Sequence, residues 1–415
     1  MSTQAARSIL FTHTSPQQGF RLLELPPELA ELLTSKHAPT LELKSPAAQG
    51  GSATEARDYV NLCTPTRTYR LRQVQSSNPL HILRPSDGGV PRGDIAMVGG
   101  EEELEQGLIE TVTSIAKCGS TLEVHTPPEG FSAIPVLERL LRVYEGSEDV
   151  DVNVDVEGGG GGREDAEAVM RRVFADVPVS RAQCERGWTE LCAFVSGGER
   201  CWRPAAGAKL RVWKRVLEGA VLQGIRLEQQ FLVSDLWRAV LEDGEDAPFP
   251  RPLFEAVVRR VCEAGEGEGE ARGLASGNMK CEYLLSRVMV GACGSGFWAD
   301  ELFTGASIDK DTCTRWVGEM YLEAVAPTSQ SAIGRSEFLN AWKDHLPENW
   351  RDEVVLSKLA DGVYGLPDPT TICFVNSIDR QKVNKNVSAK ASAATAAKKS
   401  RNWHEVFKNQ KRQKN

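Results

Sequence analysis

Eleven lysines and arginines fall between Arg380 and Asn415, against a single acid, Glu405, so this end carries about +10. The other 379 residues hold 38 basic and 56 acidic side chains, about −18, and the whole chain is −8. Clustered ammonium and guanidinium groups on a polar stretch neutralise a polyanion. Each phosphate they meet releases condensed counterions, and affinity then falls steeply with salt. Lys382, Lys385, Lys390, Lys398, Lys399, Arg401, Lys408, Lys411 and Arg412 are therefore the candidate DNA contacts of the tail. The same cluster suits a nuclear import signal, or a merely solvated end. Trp403 has two readings: stacking on a base, worth about 1–3 kcal/mol, or anchoring Trp403–Phe407 as a short helix on a protein partner. A second cationic group, Arg211, Lys214 and Arg215, sits mostly opposite the apolar face of a predicted helix. There a solvated helix face competes with a nucleic-acid or protein contact.

Catalytic patterns are missing. No Gly-x-Ser-x-Gly occurs, and Gly294-Ser295-Gly296 lacks a strand-turn-helix setting. The five glycines 158–162 are followed by no Lys-Ser/Thr and have acidic neighbours, so they do not cradle phosphate. The six histidines fall mostly in predicted strands, loops or the tail. Ten cysteines form no Cys-x-x-Cys pair, which argues against zinc and for reduced thiols that pack as small apolar groups. These features predict a non-enzyme without cofactor or metal, in the cytosol or nucleus. No run approaches the roughly 20 apolar residues of a membrane span, and the first ten residues do not read as a secretory signal.

The elements that must position any binding surface change character along the chain. Residues 1–126 read as β-rich, with short alternating runs bounded by Gly, Pro, Ser or Asn. Candidate strands are 20–25, 41–44, 59–63, 68–74, 80–83, 109–115 and 122–125. Pro26–Leu33 reads as a helix with proline at its start. The most informative stretch is Thr68–Ile82. Tyr69 and Leu71 alternate with Arg70 and Arg72, Ser76-Ser77-Asn78-Pro79 supplies turn chemistry, and Leu80 and Ile82 restart the alternation. That pattern predicts strand, turn, second strand.

After Pro127-Pro128 the period becomes helical. Residues 133–144 are predicted as one amphipathic helix, followed by an acidic, Gly-rich linker to 163. Residues 164–264 read as helices at 181–195, 209–223, 233–241 and 252–263, with a hairpin at 197–204. Short helices, a hairpin and more helix suggest a winged-helix module. Residues 265–278 alternate Gly and Glu as a second linker. Residues 279–378 repeat the grammar with helices at 280–290 and 312–325, another capped by Ser336, and a strand at 371–375. Residues 379–415 form the basic tail.

Leu22-Leu23-Glu24-Leu25-Pro26, Val60–Thr64 and Thr68-Tyr69 through Ser77-Asn78 together resemble the amino-terminal pattern of the sister chromatid cohesion protein DCC-one family. The similarity continues more weakly to about Ile378. The resemblance implies a non-catalytic accessory subunit of an alternative replication factor C clamp loader, nuclear and acting at replication forks. It implies an α+β multidomain chain: a β-barrel-like region whose missing strands come from partners, tandem winged-helix modules, and here a basic tail. The implied partners are a small β-rich subunit, the loader's large subunit, the catalytic subunit of DNA polymerase epsilon, and single- and double-stranded DNA without sequence preference. Strand addition to open edges is physically reasonable. It makes Tyr69, Leu71, Ser77, Asn78, Leu80 and Ile82 the candidate partner-binding residues, and Arg211, Lys214 and Arg215 candidates for DNA or polymerase. The family's further carboxy-terminal helical module has no counterpart here beyond the tail. A winged-helix chromatin or transcription protein is the rival; an acidic body without an Arg/Asn-rich recognition helix disfavours it.

Overall fold

The computed structural model describes residues 10–13, 16–45, 59–85, 90–91, 108–109, 111–128, 130–146, 161–196, 200–241, 247–262 and 306–376. The chain is mixed α+β and divides into two compact units: residues 1–135 with 174–187, and residues 136–173 with 188–415. The expected linker at 265–278, the helix at 280–290, Gly294–Gly296 and the basic tail lie outside the described residues.

The first unit is built on two long strands, β5 (Thr68–Pro85) and β8 (Thr111–His125). They run antiparallel from Arg70↔His125 to Pro85↔Val112. β4 (Val60–Cys63) and then β3 (Glu42–Lys44) continue the sheet beyond β5. β1 (Leu10–His13) and β2 (Leu22–Glu24) both lie parallel to β8 on its other side. β6 (Val90–Pro91) and β7 (Leu108–Ile109) make a separate two-stranded ribbon. The described strands form an open sheet and no closed barrel. α1 (Pro27–Thr34) starts on proline, as predicted, and buries Leu29.

Two sequence expectations are corrected here. Ser76–Pro79 does not reverse the chain. Gln75 pairs with Ser120 and Leu80 with Cys118, so these four residues bulge out opposite Gly119 and β5 resumes its course. The turn chemistry is nevertheless present: Ser76 Oγ donates to Asn78 O at 2.9 Å and accepts from Asn78 N at 3.2 Å. Likewise the strands expected at 109–115 and 122–125 are joined across 116–121 in β8, because β5 supplies partners on both sides of the bulge.

Residues 174–187 fasten to this sheet through polar side chains on its short strands. Lys44 Nζ donates to Phe174 O at 3.1 Å and Val179 O at 3.2 Å. Asn61 Nδ2 donates to Pro178 O at 2.6 Å, and Ser180 N donates to Thr68 Oγ1 at 2.7 Å. The ammonium of Lys44 thereby meets a carbonyl in the last turn of α3 (Gly161–Ala175), where a cation is favoured.

In the second unit, α2 (Ile134–Leu140) is shorter than expected. Residues 142–144 leave the helix to become β9 (Arg142–Tyr144), parallel to β11 (Arg200–Pro204). α4 (Arg181–Glu190) also ends early. Cys192 takes φ +52°, and Phe194–Ser196 becomes β10, antiparallel to β11 in the expected hairpin. α5 (Ala206–Leu222), α6 (Val233–Val240), α7 (Arg251–Val261) and α8 (Lys310–Val325) follow their predicted periods. α9 (Arg335–Asp344) has Gly334, not Ser336, at its N-cap, and Ser336 lies in its first turn. β12 (Ile333–Gly334), β13 (Tyr364–Gly365) and β14 (Thr371–Phe374) form an antiparallel sheet in the order β12-β14-β13. One continuous apolar core runs from Tyr144 to Cys373 and includes fully buried Trp213, Trp342 and Trp350.

Candidate strand-addition edge and cationic helix face

The β5–β8 pair is unequal on its two sides. β4 covers β5 only from Thr68 to Leu71. From Arg72 to Pro85 no described strand lies on that side. Thr64 N donates to Arg67 O at 2.9 Å in the β4–β5 turn. Hydrogen-bonding direction alternates along an antiparallel ladder, so Tyr69 and Leu71 turn their backbone groups toward β4. Gln73 and Gln75, two and four residues on, turn theirs toward the uncovered edge. Val74, Leu80 and Leu83 are 37%, 54% and 48% exposed, an unusual setting for three large aliphatic residues of one strand.

The sequence candidates fall at different places on this strand. Tyr69 and Leu71 are half-buried, with Leu71 paired to Val60 on one side and Val124 on the other, so that position is already filled. Ser77 and Asn78 sit at the exposed bulge. Leu80 and Ile82 pair only with β8, opposite Cys118 and Ala116. Gln73, Val74 and Leu83 belong to the same open stretch and were not among the candidates. Their signal was the alternation itself, interrupted by the apparent turn.

Arg211, Lys214 and Arg215 do share the outer face of α5, but they are not equivalent. The Arg211 guanidinium donates to Glu145 O, holding the turn at Gly146. Arg215 lies 3.6 Å from Glu218, one turn along the same helix. Lys214 is exposed. Behind them is a cavity of about 320 Å³ floored by Val212, Phe249 and Leu253. The nine tail cations and Trp403 lie outside the described residues.

The eight cysteines among the described residues are free, and all but Cys201 are buried. Burial pushes the thiols of Cys184 up to about 12 and of Cys192 and Cys201 up to about 11, which suppresses the nucleophilic thiolate. No group of three or more His, Cys, Asp or Glu among the described residues is placed to hold a metal. No described helix is long and apolar enough to cross a membrane.

No curated protein matches the chain. The family model for sister chromatid cohesion protein Dcc1 matches residues 20–388, a span that takes in most of both units. The chain therefore belongs to the Dcc1 family of sister chromatid cohesion proteins.

Proposed function

We propose that this chain is a non-catalytic accessory subunit of an alternative replication factor C clamp loader, acting in the nucleus at replication forks. The observation that carries the proposal is the uncovered β5 edge from Arg72 to Pro85, with its three exposed aliphatic residues. An edge of this length is a template for another chain's strand. In the Dcc1 family setting the strands come from a small β-rich subunit and the large loader subunit.

The second unit is the arm that reaches the fork. Support for a winged-helix reading around β12, β14 and β13 comes from the order helix, strand, helix, 3₁₀ turns, strand, strand and from the central place of the last strand. In the preceding half the order β9-β11-β10 is similar, but β9 runs parallel to β11, a departure from that fold. In that reading the turns at Glu348–Glu353 and Leu356–Lys358 stand for the recognition helix. They carry Glu348, Asp352 and Glu353 against Arg351 and Lys358, a poor surface for phosphate. Sequence-nonspecific DNA contact is accordingly assigned to the tail, and contact with polymerase epsilon to the helical unit.

The test is co-expression of the full chain with the small subunit and the large subunit's carboxy-terminal tail, followed by capture at high salt. A stable ternary complex is expected. A soluble monomer that retains neither partner sinks the proposal.

A further inference from the structure

Pro327-Thr328-Ser329-Gln330-Ser331 links α8 to β12 on the surface of the second unit. Thr328, Ser329 and Gln330 are exposed, and Ser331 is half-buried. The stretch carries three hydroxyls, and two of them are engaged in the turn itself. Thr328 N donates to Ser331 Oγ at 3.0 Å, Ser331 Oγ donates to Thr328 O at 3.0 Å, and the two hydroxyls lie 3.2 Å apart. They close a capping box around the single 3₁₀ turn Ser329–Ser331. The Ser329 hydroxyl and the Gln330 amide bond no described residue. The frame on either side is fixed, because Phe374 N donates to Ala326 O and Arg335 N to Thr370 O, each at 2.8 Å. Of the three hydroxyls, Ser329 alone can be modified without dismantling the turn.

The flanking sequence restricts what could modify it. From Ala324 to Gly334 the chain carries no charged side chain. A kinase that reads arginine before the acceptor, or acids after it, finds nothing there to pair with, and the residue after Ser329 is not proline. What the stretch offers is the Gln330 side chain immediately after the hydroxyl, an exposed amide that both donates and accepts. We propose that Ser329 is a phosphorylation site for a protein kinase that recognises glutamine next to its acceptor. In the transfer the Ser329 oxygen bonds the γ-phosphorus of ATP as the bond to the β,γ-bridging oxygen breaks. ADP leaves, and the hydroxyl proton passes to the kinase's carboxylate base. The product adds about two negative charges and strong acceptor oxygens to an uncharged stretch of surface. Arginine-lined phosphate readers bind such a group, and the unmodified turn offers them nothing. This goes beyond the clamp-loader reading and does not depend on it.

The full chain is incubated with Mg-ATP and a purified kinase of the Ser/Thr-Gln class, and the phosphorylated positions are mapped by mass spectrometry. Thr3-Gln4 is the other such step in the chain, so the parent carries Thr3→Ala throughout. Phosphate on Ser329 is expected, with the melting temperature within a few degrees of the unmodified chain. Ser329→Ala removes it. Gln330→Leu slows it at least about tenfold, since a site built to bond an amide rejects a side chain without one. Both variants change exposed positions and should melt with the parent. A chain with no phosphate on Ser329 overturns the proposal, as does a Gln330→Leu chain phosphorylated there at the parent's rate.

Discussion

The indole Nε1 of Trp213 donates to the carbonyl oxygen of His345 at 2.9 Å. This bond joins the middle of α5 to the C-cap of α9, across 132 residues of sequence. Around it, Trp213 meets Trp316 edge-on with centroids 5.9 Å apart, and Trp342 Nε1 donates to Thr314 O at 2.8 Å. Two stretches of the same helix-and-hairpin grammar thus share one core. Trp213→Phe keeps a ring but orphans the His345 carbonyl, a loss of about 1–3 kcal/mol. Urea unfolding of the full chain should show a lower midpoint with one transition for α5 and α9 alike. A midpoint unchanged from the parent would mean the bond contributes nothing.

The imidazole of His345 gives this junction a pH dependence. Burial, and then the nearby Lys214 charge, push its pKa below the ordinary histidine value; Asp344 pulls the other way. Tyr321 lies edge-on to the ring at 5.0 Å. Protonation is therefore harder in the folded chain than in the unfolded one. Between the ordinary value, about 6.5, and the lower folded value, the unfolded chain binds more protons, so stability falls as pH falls through that window. Lys214→Met removes one cause and should raise the His345 value in an NMR titration, with a shallower decline in stability. A titration unmoved by Lys214→Met would leave burial as the sole cause.

Gly318 on α8 faces the Trp342 ring so closely that a Cβ would lie 2.6 Å from Cζ2. Alanine has the better helix propensity by about 1 kcal/mol, but the overlap forces a fully buried indole off its rotamer. Overpacking of this kind costs about 1–3 kcal/mol. The clash wins, and Gly318→Ala should lower the melting temperature. A rise would show that Trp342 can shift at little cost.

How much of this was legible in the sequence depends on where each signal is generated. The α5, α6, α7 and α8 periods are local, and they folded as read. α2 and α4 each ran too long because Val143, Tyr144 and Phe194 keep an apolar period into residues that pair with β11, a partner the local window does not contain. Ser76–Pro79 carries turn chemistry that really forms, yet whether the chain reverses there is decided by β8. The open edge was invisible for the same reason. Tyr69 and Leu80 look alike in alternation, and only the length of β4 separates a covered position from an uncovered one. Arg211 was unreadable as a structural donor, since its acceptor is a backbone carbonyl 66 residues away.

The β5 edge offers the most direct test of how partners attach. Gln73 turns its N–H toward the uncovered side, so proline there removes a donor that no described strand of this chain uses. Proline is tolerated on edge strands in that orientation. By contrast, proline at Arg72 removes a bond to β8, opposite Glu123, and should unfold the sheet. Gln73→Pro is expected to keep the melting temperature of the isolated chain within a few degrees while weakening capture of the proposed β-rich subunit. One lost backbone bond and a strand forced away from the edge predict about tenfold or more. Val74→Asp should act in the same direction by placing a charge on the open stretch of β5. If both variants capture the partner as well as the parent does, strand addition at Arg72–Pro85 is excluded, and the partner must dock elsewhere.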